Sequence, residues 1–497
     1  MSMKYRILTL LCAIAIAVTA CEPPYILPSD PEKPENGNNN SEPEPEPDPE
    51  PDPAPGPAVI SDEGLEYVWD ESVIPEIRIS ISLDQWNALL KRFDENPNNV
   101  DYFHCDITYT KGSEVTSIED AGIRLRGNTS RRRPEGSSGQ PHVKDGADWH
   151  HCHFGINFRK FNKDKAHTVK GIRKVNLKWF KDDPCYVREL YCYDLFRRYG
   201  IWTAAFDVYC RVWVHVEGDS QPAYFGVYEM IEPIDDKFIQ KRVDGMFGSE
   251  EGNLWKCGWS WAGAYLDNQN AHFGLDEDTG ENMTYEYKGE AENYETAKAQ
   301  LQDFIAKLTG KSDESFTKWI KEVCDVEFLL KTYAVNVAVG MWDDHWNNGN
   351  NFYLYFNSMD KYDYKVFLIP YDYDNTLGTS ANCGIISDSG RQDPYNWGDG
   401  GRLMERLMKI DEFKAIYRDA LKEIAARENN LFHKDASMAR IKAWQDRISP
   451  YVGNDTGEDM KIEDKPASWG NHGEYRIMTD GPDNFFEVKT SAINGMK

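Results

Sequence analysis

An α+β protein is what this sequence predicts, sheet-rich in its first part and helix-rich in its second, and three observations carry that prediction. Between residues 77 and 230, short segments alternate apolar and polar side chains with a period of two. Residues 293–339 and 401–449 repeat their apolar side chains at helical spacing instead. Between the helical stretches lie two short strand-like runs, 351–356 and 366–369, close enough to pair as a hairpin.

Residues 1–20 read as a bacterial lipoprotein signal peptide. Met1-Ser-Met-Lys-Tyr-Arg supplies positive charge, and residues 7–18 form an apolar run too short to span a bilayer comfortably. Val18-Thr-Ala-Cys21 resembles the lipobox, in which the cysteine is lipidated and becomes the amino terminus. The expectation is export, with a lipid on Cys21 tethering the protein to a membrane of the bacterial cell envelope, the outer membrane above all, facing the periplasm or the outside. Residues 21–58 are mostly Pro, Glu, Asp and Asn. So little apolar surface cannot offset the entropy of ordering, and the prolines and like charges favour an extended spacer.

Residues 59–497 supply one large globular unit. An aromatic content of 13%, with 15 tryptophans, is enough for a substantial core. The net charge of -27 argues against a nucleic-acid partner, which needs a basic face. Eight cysteines downstream of the signal, from Cys105 to Cys383, are scattered without the framework of a small disulfide-rich domain.

Along this unit, residues 77–81 alternate as a half-buried strand and Ser82 caps a helical start. Residues 105–109 and 121–126 predict two more strands, the second running into Arg126-Gly-Asn-Thr-Ser-Arg131. A polar insertion, 132–149, precedes another alternating run at 154–158. Lys174-Val-Asn-Leu-Lys178 predicts a short strand, and residues 186–199 a helix that Gly200 stops. Strands return at 208–216 and 224–230, with turn residues between them.

Chemistry concentrates at two places. Asp343-Asp-His-Trp-Asn-Asn-Gly-Asn-Asn351 lies between a helix and a strand, and Tyr371-Asp-Tyr-Asp374 follows the next strand. Two carboxylate-rich strand ends joined by a hairpin can converge and hold a hard divalent cation through oxygen ligands, Mg²⁺ or Ca²⁺. Protein kinases divide labour in the same way: a catalytic-loop Asp with an Asn a few residues on, a hairpin, then an Asp on the metal that bridges the nucleotide phosphates.

The residues resemble the CotH kinase family, secreted kinase-like proteins. The likeness lies in Arg124-Leu-Arg-Gly-Asn-Thr-Ser130, Lys174-Val-Asn-Leu-Lys178 followed by a helix, Gly226-Val-Tyr-Glu-Met-Ile-Glu232, the 344–351 loop with Asn351-Phe-Tyr-Leu-Tyr355, and Pro370-Tyr-Asp-Tyr-Asp-Asn-Thr-Leu-Gly378. It covers about residues 76–449.

The resemblance implies an atypical protein-kinase-like fold that transfers the γ-phosphate of ATP to protein hydroxyls with Mg²⁺, or Mn²⁺ or Ca²⁺ in its place. It implies Asp344 as the group that orients or deprotonates the attacking hydroxyl, with Asp343 as the open alternative. Asn350 or Asn351 would assist the metal, and Asp372, with Asp374 nearby, would chelate it. Arg126 with the backbone of Gly127 and Asn128 would face the phosphates, as would Lys174 or Lys178, steadied by Glu232. One departure is the long insertion at 134–153, with His142, His150, His151 and His153 around Cys152. A contrasting expectation is a non-catalytic surface binding protein that holds glycan or protein on Trp255, Trp259 and Trp261.

Overall fold

The alternating first half closes into a barrel. A computed structural model describes residues 60, 62–181, 183–267, 272–275, 283–381, 384–467, 474–478 and 481–497; the signal segment, Cys21, the acidic linker and Cys383 lie outside these residues. Helix α1 (Glu63–Val68) precedes strand β1 (Glu76–Ile81), and α2 (Leu83–Glu95) follows, its N-cap Ser82 accepting from the Gln85 amide. That cap satisfies one of the amides the first turn leaves without a helical partner. Strands β2 (Phe103–Lys111), β3 (Glu114–Arg126), β4 (His153–Asn157) and β5 (Lys174–Lys178) lead to α3 (Arg188–Arg198), then β6 (Asp207–Val216) and β7 (Ala223–Ile231).

The barrel order is β1-β2-β3-β4-β5-β7-β6. Neighbours are antiparallel except where β6 closes in parallel onto β1, Ile77 opposite Val212 and Ile79 opposite Val214. Closure removes the sheet edges, and the inward set, including Ile77, Ile79, Ile107, Ile123, Phe154, Val212 and Phe225, is fully buried. Each such side chain contributes about 1.5–3 kcal/mol by leaving water. A one-residue slip in any strand would turn that set outward, so the alternation fixes the register.

The polar insertion packs on this barrel. Glu135 accepts from Trp86 Nε1 at 2.8 Å, and His142 sits between Glu135 and Asp219. His151 bonds the Phe225 carbonyl at 2.7 Å, and His153 Nδ1 accepts from the Trp179 amide. These histidines hold loops to strands, and among the described residues no metal-ligand cluster forms in the insertion.

The second half is mainly helical. After α4 (Asp236–Gln240) come β8 (Asn253–Cys257), β9 (Phe273–Leu275) and β10 (Tyr285–Tyr287), then α5 (Tyr294–Gly310), α6 (Asp313–Val323) and α7 (Val326–Ala338). The hairpin is β11 (Phe352–Phe356) and β12 (Val366–Pro370); α8 (Arg402–Leu407), α9 (Asp411–Ala425), α10 (Lys434–Ile448) and α11 (Phe485–Asn494) complete the chain. The hairpin belongs to a five-stranded sheet ordered β12-β11-β8-β10-β9.

Helix α7 aims the site. It is buried on almost every side, so its end is fixed by packing. It stops in a Schellman motif: Gly340, at φ 75°, donates to the Val337 carbonyl and Met341 donates to that of Asn336. A side chain at Gly340 would also run into the Phe485 ring, at 2.9 Å. The chain therefore leaves α7 in one direction, as the loop 341–351. The cysteines from Cys105 to Cys324 are buried free thiols.

Candidate functional site

Between the barrel and the five-stranded sheet lies a cavity of about 540 Å³. The barrel contributes Arg124, Arg126 and the turn 127–131, with Lys178 at the end of β5. The opposite wall contributes Lys256 on β8, Glu286 on β10 and the loop residues Asp343, Asn348, Asn350 and Asn351, and beyond β12 lie Tyr371, Asp372 and Asp374. Several cations face one cavity of a strongly acidic chain, which suits an anionic ligand.

Lys178 is the electrostatic centre. Its ammonium contacts Glu189 and Asp372 and lies 3.3 Å from Asp374. Burial works to lower its pKa, but Asp372, Asp374, Glu189 and Glu229 reverse this and hold it well above the usual lysine range. Asp372 is the mirror case. Burial pushes it up, yet Lys178, Arg126 and Lys256 outweigh burial and leave it below the ordinary aspartate value. Glu189 sits in the first turn of α3, directly after the strand that carries Lys178.

The carboxylates of Glu189, Asp372 and Asp374 each offer an oxygen within 4.8 Å of the others. Three hard oxygen donors at that spacing suit a hard divalent cation better than a soft one. Asp372 adopts φ 63° and Asn351 φ 58°, left-handed conformations that non-glycine residues seldom hold without surrounding support.

The turn after β3 is built close. Gly127 has φ 112°, and a Cβ there would meet Ser130 Oγ at 2.8 Å and the Arg131 amide at 3.1 Å. Arg126 donates to the Tyr371 hydroxyl at 3.2 Å, linking the barrel to the strand end that carries Asp372.

The adjacent aspartates 343 and 344 point to different environments. Asp343 accepts from the side-chain amides of Asn348, Asn350 and Asn351, at 2.6, 3.0 and 3.0 Å, and faces the cavity. Burial and then the charge of Asp372 raise its pKa against the pull of those amides. Asp344 turns into the core, 3% exposed, accepting from the Tyr333 hydroxyl, from Asn336 Nδ2 at 2.7 Å and from the Asn347 amide at 2.8 Å. Burial pushes it up to about 7. Asp344 is therefore placed to hold the loop, and Asp343 to meet a ligand.

Four other expected residues take different places. Lys174 lies at the far end of β5 and pairs with Asp235 at 2.8 Å, so of the two strand lysines Lys178 alone lines the cavity. Glu232 is no partner of either lysine: it grips the buried Arg242 with both oxygens, at 3.0 and 2.6 Å, because it has passed the end of β7 and faces α4. Asn350 and Asn351 direct their amide groups to Asp343, and Asn350 Oδ1 accepts from the Trp259 amide. Trp255 is wholly buried, while Trp259 and Trp261 are 50% and 76% exposed.

Glu189 and Lys256 stand outside the motifs that the sequence singles out. For Glu189 a signal is present: a lysine ending a strand, followed by a helix with Glu in its first turn, is the order in which kinases place their lysine–glutamate pair.

A family model described as CotH kinase protein matches residues 123–479, most of the chain and every residue placed at the cavity from Arg124 to Asp374. No curated protein matches the chain.

Proposed function

The chain belongs to the CotH kinase protein family, and from that premise we propose that it is an active phosphotransferase, moving the γ-phosphoryl group of ATP to a Ser or Thr hydroxyl of a protein. The family is kinase-like and implies ATP and divalent metal dependence in general. One observation supports activity above all. Lys178, Asp372 with Asp374, and Asp343 converge on one cavity from separate elements of the chain, with the buried Glu189 in contact with Lys178.

Glu189, Asp372 and Asp374 are the residues that would hold the cation, with Mg²⁺ the first candidate. When bound, such a cation neutralises phosphate charge. Lys178, Arg126 and the amides of the 127–131 turn then receive the nucleotide phosphates, and Glu189 keeps Lys178 in place. Asp343 accepts the proton of the attacking hydroxyl as the new oxygen–phosphorus bond forms and the bond to ADP breaks. Its three amide donors fix the carboxylate's direction. A kinase catalytic loop has the same logic, an Asp oriented a few residues before an Asn.

Calorimetric titration of ATP, with and without Mg²⁺, tests this on wild type and Asp372→Asn. Metal-dependent binding that the variant loses is the expected result. Absence of binding in the wild type would favour the surface binding protein instead, a reading to which the exposed Trp259 and Trp261 lend support. The proposal extends to location: export and a lipid on Cys21, at the bacterial envelope. Incorporation of labelled palmitate that Cys21→Ala abolishes is the expected outcome, and equal labelling of both would remove the anchor.

A further inference from the structure

Lys256 stands on the wall opposite Lys178, where its charge helps to keep Asp372 ionised. It lies on β8 between two buried residues, Trp255 and Cys257. Alternation therefore turns Lys256 to the other face, with its cross-strand neighbours Tyr353 and Glu286. That face borders the cavity. The ammonium lies 5.6 Å from the centre of the Tyr371 ring, next to Asp372.

Its charge is weakly compensated. Among the described residues its ion pairing is one contact, to Glu286 at 4.0 Å, and Glu286 holds Lys288 much closer, at 2.6 Å. Lys178, by contrast, shares its charge among Glu189, Asp372 and Asp374. The two lysines thus face one cavity from opposite sides, Lys178 in direct contact with carboxylates and Lys256 held only loosely, by Glu286 at 4.0 Å and by the more distant charge of Asp372.

We infer that Lys256 is a catalytic cation that stabilises the phosphoryl group in transit, the task an arginine finger performs in other phosphotransferases. The inference rests on the kinase reading and deepens it. In the transfer, the bond from the γ-phosphorus to ADP breaks, the bond to the acceptor oxygen forms, and the hydroxyl proton passes to Asp343. Charge meanwhile spreads over the three equatorial oxygens of the moving group. The barrel's cations hold phosphates on the nucleotide side. A cation on the same wall as Asp343 gains interaction as the group moves toward the acceptor, and only such gains accelerate the step.

The test compares Lys256→Met and Lys256→Arg with wild type in the full chain, and reads binding as well as turnover. ADP with Mg²⁺ is titrated by calorimetry alone and then with aluminium fluoride, which mimics the planar phosphoryl group. We expect Lys256→Met to bind ADP within about twofold of wild type, to lose the added affinity that aluminium fluoride confers, and to lower kcat by about 10²–10³-fold with little change in acceptor KM. Lys256→Arg should recover most of both. An unchanged thermal midpoint would show that folding is intact. Retained aluminium fluoride affinity overturns the inference. So does a rise in acceptor KM at constant kcat, which would make Lys256 an acceptor-binding residue. A wild type that neither binds ADP nor transfers phosphate fails before any variant is compared, and overturns the kinase reading together with this inference.

Discussion

The contrast between Asp343 and Asp344 gives the sharpest prediction, because neighbouring carboxylates should fail in different ways. Replacing Asp344 by Ala removes an acceptor from three buried donors, the Tyr333 hydroxyl, Asn336 Nδ2 and the Asn347 amide. Each donor left without a partner costs about 1–3 kcal/mol, so the variant should lose about 3–9 kcal/mol and its thermal midpoint should drop by several degrees. Asp343→Asn keeps the shape, and its carbonyl oxygen still accepts from part of the Asn348, Asn350 and Asn351 set. Its stability loss should be about 1–2 kcal/mol. Its loss of a proton acceptor should reduce transfer by about 10²–10⁴-fold. Calorimetric unfolding and phosphate transfer measured on the same preparations decide the matter. An Asp344→Ala protein with the wild-type midpoint and no transfer, beside an active Asp343→Asn, would refute the reasoning and exchange the two roles.

Three further outcomes follow from the same geometry. Lys178→Met leaves Glu189, Asp372 and Asp374 facing one another without their shared cation, a loss of about 3–5 kcal/mol; added Mg²⁺ or Mn²⁺ should raise its unfolding midpoint more than that of wild type, and equal shifts would remove these carboxylates as the cation site. Glu232→Gln should destabilise the fold by about 3–5 kcal/mol through Arg242 yet leave ATP affinity unchanged by calorimetry, as should the far milder Lys174→Ala; a selective loss of ATP affinity in either would restore that residue to the site. His345 is buried and its pKa is lowered from 6.5 to about 4, so the unfolded chain takes up a proton that the folded chain refuses between those values. The part of the stability that rests on neutral His345 is fully present above pH 6.5 and falls by about 3 kcal/mol toward pH 4, a slope opposed over the same range by Asp344, which burial raises to about 7. His345→Asn, which keeps a donor for the Ala264 carbonyl, should flatten that slope in denaturation curves, and an unaltered slope would show that His345 is not its source.

Local pattern made most of the fold legible. Barrel strands alternate, and their buried sets follow from a period of two, so β1 to β7 could be read to within a few residues, except that β3 begins at Glu114, seven residues before the alternating run at 121–126. The long helices α5, α6, α7, α9 and α10 announce themselves by periodicity in the same way. Strands β9 and β10, three residues each, are too short to show a period, and β8 takes its place by pairing with β11, which is distant in sequence. Helix α11 stands apart from the long periodic stretches, although Asn484 caps it by accepting from the Glu487 amide.

The site divides along the same line. The sequence by itself determined which residue types were gathered: a lysine-ended strand, the Arg-Gly-Asn turn, an Asp/Asn loop and an Asp-x-Asp strand end. Only the tertiary structure decided which of them meet. Asp343 and Asp344 are equivalent in any pattern, and their difference arises because α7 ends at Gly340 and presents one to the cavity and the other to Tyr333. Glu189, not Glu232, reaches Lys178, since the first turn of α3 comes up to the end of β5 while Glu232 has turned toward Arg242. Lys256 entered the site only when β8 paired with β11. The physical reason is common to all three: composition and spacing set what a residue can do, whereas long-range packing sets what it faces.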